Sequence, residues 1–191
     1  MALVLVSGPS EEPVTLAQAK AHCRADGSDD DALITALIVA ARQRAEHETG
    51  RAFCTQTWKL TLDAFPVAAI AVPVPPLVSV TSVKYVDPAG TLQTLSGSAY
   101  SVHTNPLIGL IAPAYNTSWP ATRDDYEAVT VDFTVGYGAA AAVPQAIKQW
   151  MLLAIGTWYA QREGIAAGVQ AELPRGFWDA LLDPFRVRVV A

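Results

Sequence analysis

The sequence predicts an α+β fold, a four-helix α-helical bundle with a β-rich insertion between the second and third helices. Three observations carry this. Apolar residues recur at helical spacing up to about residue 49. They switch to alternation with a period of two from Thr55 onward. They return to helical spacing after Val143-Pro144. At 191 residues with 51% hydrophobic side chains, the chain has the length and apolar content for a substantial core.

The first helix is expected from about Leu16 to Arg24, because Thr15 stands three residues ahead of Gln18 in the spacing of a capping box. The second is expected after Ser28, with Asp29, Asp30 and Asp31 supplying a cap and negative charge at the positive end of the helix dipole. Its apolar residues are Leu33, Ile34, Leu37, Ile38, Ala41 and Ala45, and Thr49-Gly50 should end it.

From Thr55, Trp58, Leu60 and Leu62 alternate with Lys59, Thr61 and Asp63, as in a half-buried strand. Val78, Val80, Val83 and Tyr85 continue in strand-like runs, and Asp87-Pro88-Ala89-Gly90 reads as a turn. The clearest strand is Val129, Val131, Phe133 and Val135 alternating with Thr130, Asp132 and Thr134, stopped at Gly136-Tyr137-Gly138. Pro144 suits the first turn of a third helix, whose stripe of Ile147, Trp150, Met151, Ala154, Ile155 and Trp158 is wide enough for burial on more than one side. A fourth helix with Phe177, Trp178, Leu181, Leu182 and Phe185 should end around Pro184. The expected divisions are 1–54 (helical), 55–138 (β insertion) and 139–191 (helices and tail), with the two helical parts forming one bundle domain.

Only 16% of residues are Asp, Glu, Lys or Arg, against a typical ~25%. Between Ala64 and Thr122 the only formally charged side chains are Lys84 and Asp87. A free-standing β-subdomain usually blunts its edges with charge, so apolar surface is expected to meet another protein. The net charge of -5 removes the basic excess that non-specific binding to duplex DNA draws on. The start of the chain lacks the positive region and long apolar core of a signal peptide. The uncharged stretch from Ala64 to Val83 is interrupted by Pro66, Pro73, Pro75 and Pro76, so it is not read as a membrane helix.

No constellation carries catalysis. Glu46-His47-Glu48 lacks His-Glu-x-x-His spacing and reads as a solvated helix end. The Asp29–Asp31 run lacks the pattern of a calcium loop, and His22 beside Cys23 diverges by about 100° around a helix. Cys23 and Cys54 have no metal-ligand spacing and read as reduced thiols. Gly136-x-Gly138 terminates a strand without the third glycine of a dinucleotide fingerprint. The expectation is therefore no enzyme, no cofactor and no metal. Trp119, beside Pro120 and Arg123-Asp124-Asp125, suits either an interface loop or a polar turn with the indole in the core. A small-ligand or carbohydrate-binding β module on a helical scaffold, and a hydrolase whose residues meet only in the fold, stand as alternatives.

In order along nearly the whole chain, several motifs together resemble the head-tail connector, or adaptor, proteins of long-tailed phages and gene transfer agents. They are Pro13-Val14-Thr15-Leu16 with Ala19-Lys20, Asp31-Ala32-Leu33-Ile34, Thr49-Gly50-Arg51, Thr57-Trp58 and Pro75-Pro76-Leu77-x-Ser79-Val80 with Val83-Lys84-Tyr85. Then follow Ser118-Trp119-Pro120, Gly136-Tyr137-Gly138, Val143-Pro144-x-x-Ile147-Lys148, Trp158-Tyr159-x-x-Arg162-Glu163 and Leu181-Leu182-x-Pro184-Phe185-Arg186.

The resemblance implies a structural protein of a virion or particle neck, assembled in the host cytoplasm. It implies a ring of about twelve copies under the portal; the low-charge span from Ala64 to Thr122 adds the expectation of side-by-side contacts between helical parts and β sections of neighbouring copies. The further partners it implies are the portal protein and the next tail component, a stopper or tail terminator. DNA would pass through the channel without sequence-specific binding, and no membrane is involved. By the same resemblance the extended tail, with Val187, Arg188, Val189 and Val190, is expected to bind the portal; pairing with Leu3–Val6 of its own chain is the alternative.

Overall fold

The computed structural model describes residues 1–161 and 178–187. They form two compact units: unit 1 is Met1–Ser10 with Thr55–Tyr137, and unit 2 is Glu11–Cys54 with the residues from Gly138 onward.

Unit 1 consists of two antiparallel sheets. The larger has strand order β1-β2-β8-β4-β5, from β1 (Ala2–Ser7), β2 (Gln56–Leu62), β8 (Val129–Val135), β4 (Leu77–Val86) and β5 (Leu92–Thr94). Strand β8 lies at the centre because Val129, Val131, Phe133 and Val135 all point to the buried face, where Leu60 and Val83 join them. The smaller sheet has the order β3-β7-β6, from β3 (Ile70–Val72), β7 (Gly109–Pro113) and β6 (Tyr100–Thr104). It buries Ile70, Val72 and Ile111. Gly109 meets Leu77 of β4 so closely that a Cβ on the glycine would lie 2.5 Å from the leucine Cβ.

Unit 2 packs α1 (Leu16–Cys23), α2 (Asp31–Thr49) and α3 (Gln145–Ala160) against one another. Thr15 and Gln18 form the expected capping box, at 3.2 and 2.9 Å. Gly50 ends α2 in the left-handed region at φ 67°, a conformation that favours glycine. Ile34, Ile38, Ala41 and Ala45 of α2 face Ile147, Met151, Ala154 and Ile155 of α3 in a core that also takes in Val14, Phe53 and Leu182.

Two expectations are corrected. The molecule is not a four-helix bundle with a β insertion: among the described residues there are three α-helices and two sheets, a β-rich α+β fold. The proposed fourth helix is reduced, in its described part, to a short helical turn at Trp178–Asp179 and a 3-10 turn at Asp183–Phe185. Pro184 sits inside that 3-10 turn, where proline is compatible with the backbone but cannot donate to a continuing helix. The N-terminal segment is the second reason, because β1 pairs with β2 and makes the β part more than an excursion between two helices.

The aspartates before α2 also behave differently from simple caps. Asp30 occupies the cap position without a side-chain capping bond, and its Oδ2 instead accepts a 2.5 Å hydrogen bond from the Tyr159 hydroxyl of α3. Asp31 takes Lys20 Nζ at 2.5 Å, and the same ammonium group donates to the Gly27 carbonyl. Asp31 and Asp30 thus tie the start of α2 to α1 and α3 respectively.

Candidate assembly surfaces

The C-terminal segment is anchored on the end of α2. Arg51 Nε donates to the Phe185 carbonyl, and the Val187 N–H donates to the Thr49 carbonyl at 2.8 Å. Arg186 reaches Glu48 at 3.8 Å and Asp183 at 3.3 Å. The Val187 side chain lies over Gly50, where an added Cβ would meet it at 3.6 Å. Thr49-Gly50-Arg51 therefore receives the chain end: Thr49 offers a carbonyl freed by helix termination, Gly50 leaves the space, and Arg51 clamps the preceding turn. Of the residues expected to bind a partner, Val187 is placed here, while Arg188, Val189 and Val190 lie outside the described residues.

Beneath this anchor, unit 2 contains an ion cluster. Arg42 Nε donates to Glu12 at 2.7 Å and its Nη1 to Glu46 at 2.7 Å. The other oxygen of Glu46 accepts the Phe53 N–H at 2.9 Å, and Glu11 accepts the Ala140 N–H at 3.0 Å. Burial works against the Arg42 charge, but the hydrogen bonds and charges of Glu12 and Glu46 outweigh it and raise its pKa above the ordinary value. The cluster pins the segment before α1 to α2.

Next to it, Cys54 is buried and its thiol pKa is pushed up to about 11, by burial first and then by the carboxylates of Glu11, Glu12 and Glu46. At pH 8 its thiolate fraction is on the order of 0.1%. Native protein treated with a thiol reagent at that pH should label readily at no more than one cysteine, Cys23, and at two after unfolding. Rapid native labelling of Cys54 would contradict this environment. Because the folded thiol keeps its proton where the unfolded one (ordinary value 9.0) has lost it, stability should also fall as pH rises from 9 through about 11.

Trp119 of unit 1 is half-buried. Its ring stacks on Phe65 with centroids 4.7 Å apart, its indole N–H donates to the Ala68 carbonyl at 2.8 Å, and Phe65 meets Tyr85 edge-on at 5.7 Å. The indole thus holds the loop after β2 to the loop after β7. The latter loop exposes Tyr115 and Tyr126 at its two ends, at 99% and 87%. Sequence reasoning did not single out these tyrosines; it did read Leu3–Val6 as a strand, but not as an exposed one.

His47 is exposed at the end of α2, as a solvated helix end should be. Among the described residues no group of three or more His, Cys, Asp and Glu side chains is placed to hold a metal ion. No helix among them is long and apolar enough to cross a membrane.

Against known families, residues 13–84 match the model of the phage gp6-like head-tail connector protein. The match takes in 72 of the 191 residues. The matched stretch contains α1, α2, the chain-end receptor Thr49-Gly50-Arg51, β2 and most of β4. The connector resemblance read from the motifs is thereby borne out.

Among solved structures, the neck of an empty gene transfer agent particle computed with C6 symmetry contains a chain 24% identical, with a TM-score of 0.83; the match covers 100% of this chain and 98% of that one. A chain in the virion of a native gene transfer agent particle is 24% identical, with a TM-score of 0.81 and the same coverage. In the neck of a native particle computed with C12 symmetry the values are 23% and 0.77, again with that coverage. These likenesses show that the chain shares the fold of those neck and virion chains over its full length. No curated protein matches it.

Proposed function

We propose that the protein is a structural head-tail connector, not an enzyme. It forms a ring in the neck of a phage or phage-like particle, below the portal, joining the DNA-filled head to the tail and lining the DNA channel. The observation that carries this reading is the full-length likeness to chains of gene transfer agent necks and virions, together with the connector signature at residues 13–84. The particles computed with C6 and C12 symmetry support a cyclic assembly of about twelve copies. The net charge of -5 suits a wall past which DNA slides, since like charge opposes adhesion to phosphates.

In this reading the portal and the next tail component are the partners, and the tail from Val187 to Val190 makes the portal contact, with Trp119 bracing a second contact loop. The anchor of Val187 on Thr49 and Gly50 supports this reading, because it holds the start of the tail in place.

Deleting residues 188–191 should leave the helical circular dichroism signal and thermal unfolding of the purified protein unchanged while abolishing attachment to DNA-filled heads. Normal attachment of the truncated protein would defeat the tail assignment. Native mass spectrometry of isolated necks showing a single copy would defeat the ring.

A further inference from the structure

Unit 1 carries two exposed apolar stretches with no formally charged residue of their own. One is β1: among the described residues it has β2 on one side and no strand on the other, and Val4, Leu5 and Val6 are 53%, 46% and 56% exposed. Leu5 lies opposite Trp58, on the sheet face that buries Leu60, so that face runs out uncovered at this edge. Natural sheet edges are blunted with charge, proline or a bulge. Here β1 has only an irregularity between Leu5 and Ser7, which leaves Ala2–Leu5 in regular register. The other patch is the β6–β7 hairpin, with Leu107 and Ile108 exposed in its turn and Leu110, also exposed, opposite His103.

Every contact in a closed ring of identical copies is head-to-tail, so each copy must present two different patches that fit one another. Unit 1 has two such patches of the same chemistry and of different kind, an open strand edge and a hairpin. Neither stretch has a formally charged residue of its own, and the charged cross-strand neighbour, the exposed Lys59 opposite Val4, is long enough to keep its ammonium in water when they meet. Resting on the ring reading above, we propose that neighbouring copies meet through unit 1, with the β1 edge of one copy covered by the β6–β7 hairpin of the next.

The test uses particles assembled from the full chain with a photo-crosslinking p-benzoylphenylalanine in place of Val4. Irradiation should give a product of twice the 20.3 kDa chain mass, with the cross-linked peptide mapping to residues 100–113. A link from position 4 to a different neck protein or to another part of a neighbouring copy overturns the proposal, as does no link at all in particles that contain the chain. Copy number in the same necks separates the two readings: a single copy removes the ring itself, whereas many copies with the wrong link remove only this contact.

A second variant reads the same edge without a probe. Val4→Lys changes an exposed side chain and should shift the melting temperature by no more than ~2 °C. It should nevertheless lower incorporation into necks by ~10-fold or more, because it sets a second positive charge opposite Lys59 at the contact. Incorporation at the level of the unsubstituted chain overturns the proposal.

Discussion

Replacing Arg42 by methionine is expected to destabilise unit 2 by about 3–5 kcal/mol. The Arg42 side chain is only 9% exposed, and two carboxylates converge on it from different segments. Removing the guanidinium leaves Glu12 and Glu46, whose side chains are only 25% and 15% exposed, facing each other. The methionine keeps most of the apolar stem, so lost packing is a minor part of the effect. Arg42→Lys should fall between the two, since an ammonium keeps the charge but loses the fork that serves both partners. Because α1, α2 and α3 all lie in unit 2, denaturant unfolding followed at the helical circular dichroism band reports this loss. A cost below about 1 kcal/mol for Arg42→Met would mean that the cluster does not hold the segment before α1.

Gly109→Ala is expected to cost unit 1 at least ~2 kcal/mol by overpacking. The added Cβ would stand 2.5 Å from Leu77 Cβ and 2.7 Å from its Cδ2. The nearer atom belongs to the base of the side chain, which rotamer changes cannot move, so β4 or β7 itself must shift. It follows that Leu77→Ala should fail to rescue Gly109→Ala, because alanine retains the clashing atom. Hydrogen exchange of the β7 and β4 amides is the appropriate readout, with accelerated exchange there expected and rescue by Leu77→Ala the contrary result. By comparison, Gly156→Ala should be mild: its Cβ would approach the far edge of the exposed His22 ring at 3.1 Å, and that ring can swing away.

Elements whose cause is local were legible in the sequence. The capping box at Thr15 and Gln18, the glycine stop at Gly50 and the alternation of β8 each need only a few neighbouring residues, and each is present. What escaped depends on partners far along the chain. The aspartates at 29–31 looked like caps because the cap is the local explanation, while Tyr159, which takes Asp30, stands 129 residues away. Trp119 was balanced between loop tip and core until Phe65 and the Ala68 carbonyl supplied its stacking partner and acceptor. The apolar residues around Trp178 and Phe185 suggested a full fourth helix, since their spacing alone does not reveal a tight 3-10 turn. At the candidate surfaces, Thr49-Gly50-Arg51 was noticed as a motif, yet its work of receiving Phe185 and Val187 required the fold.

The arrangement of strands also determines when the protein finishes folding during synthesis. Strands β2 and β4 both find their main neighbour in β8, which begins only at Val129, and β1 has no partner until β2 emerges. Helices α1 and α2 likewise leave the ribosome long before α3, the helix that buries their apolar faces. Neither unit can close on its N-terminal residues alone, so the nascent chain carries both incomplete through most of translation. Pairings of such large sequence separation form slowly, and unpaired strands exposed in the meantime are prone to associate with the wrong partner. Fragments ending before residue 129 should therefore be poorly soluble, and the yield of native protein should depend on how far the nascent β strands are shielded until the last third of the chain is made.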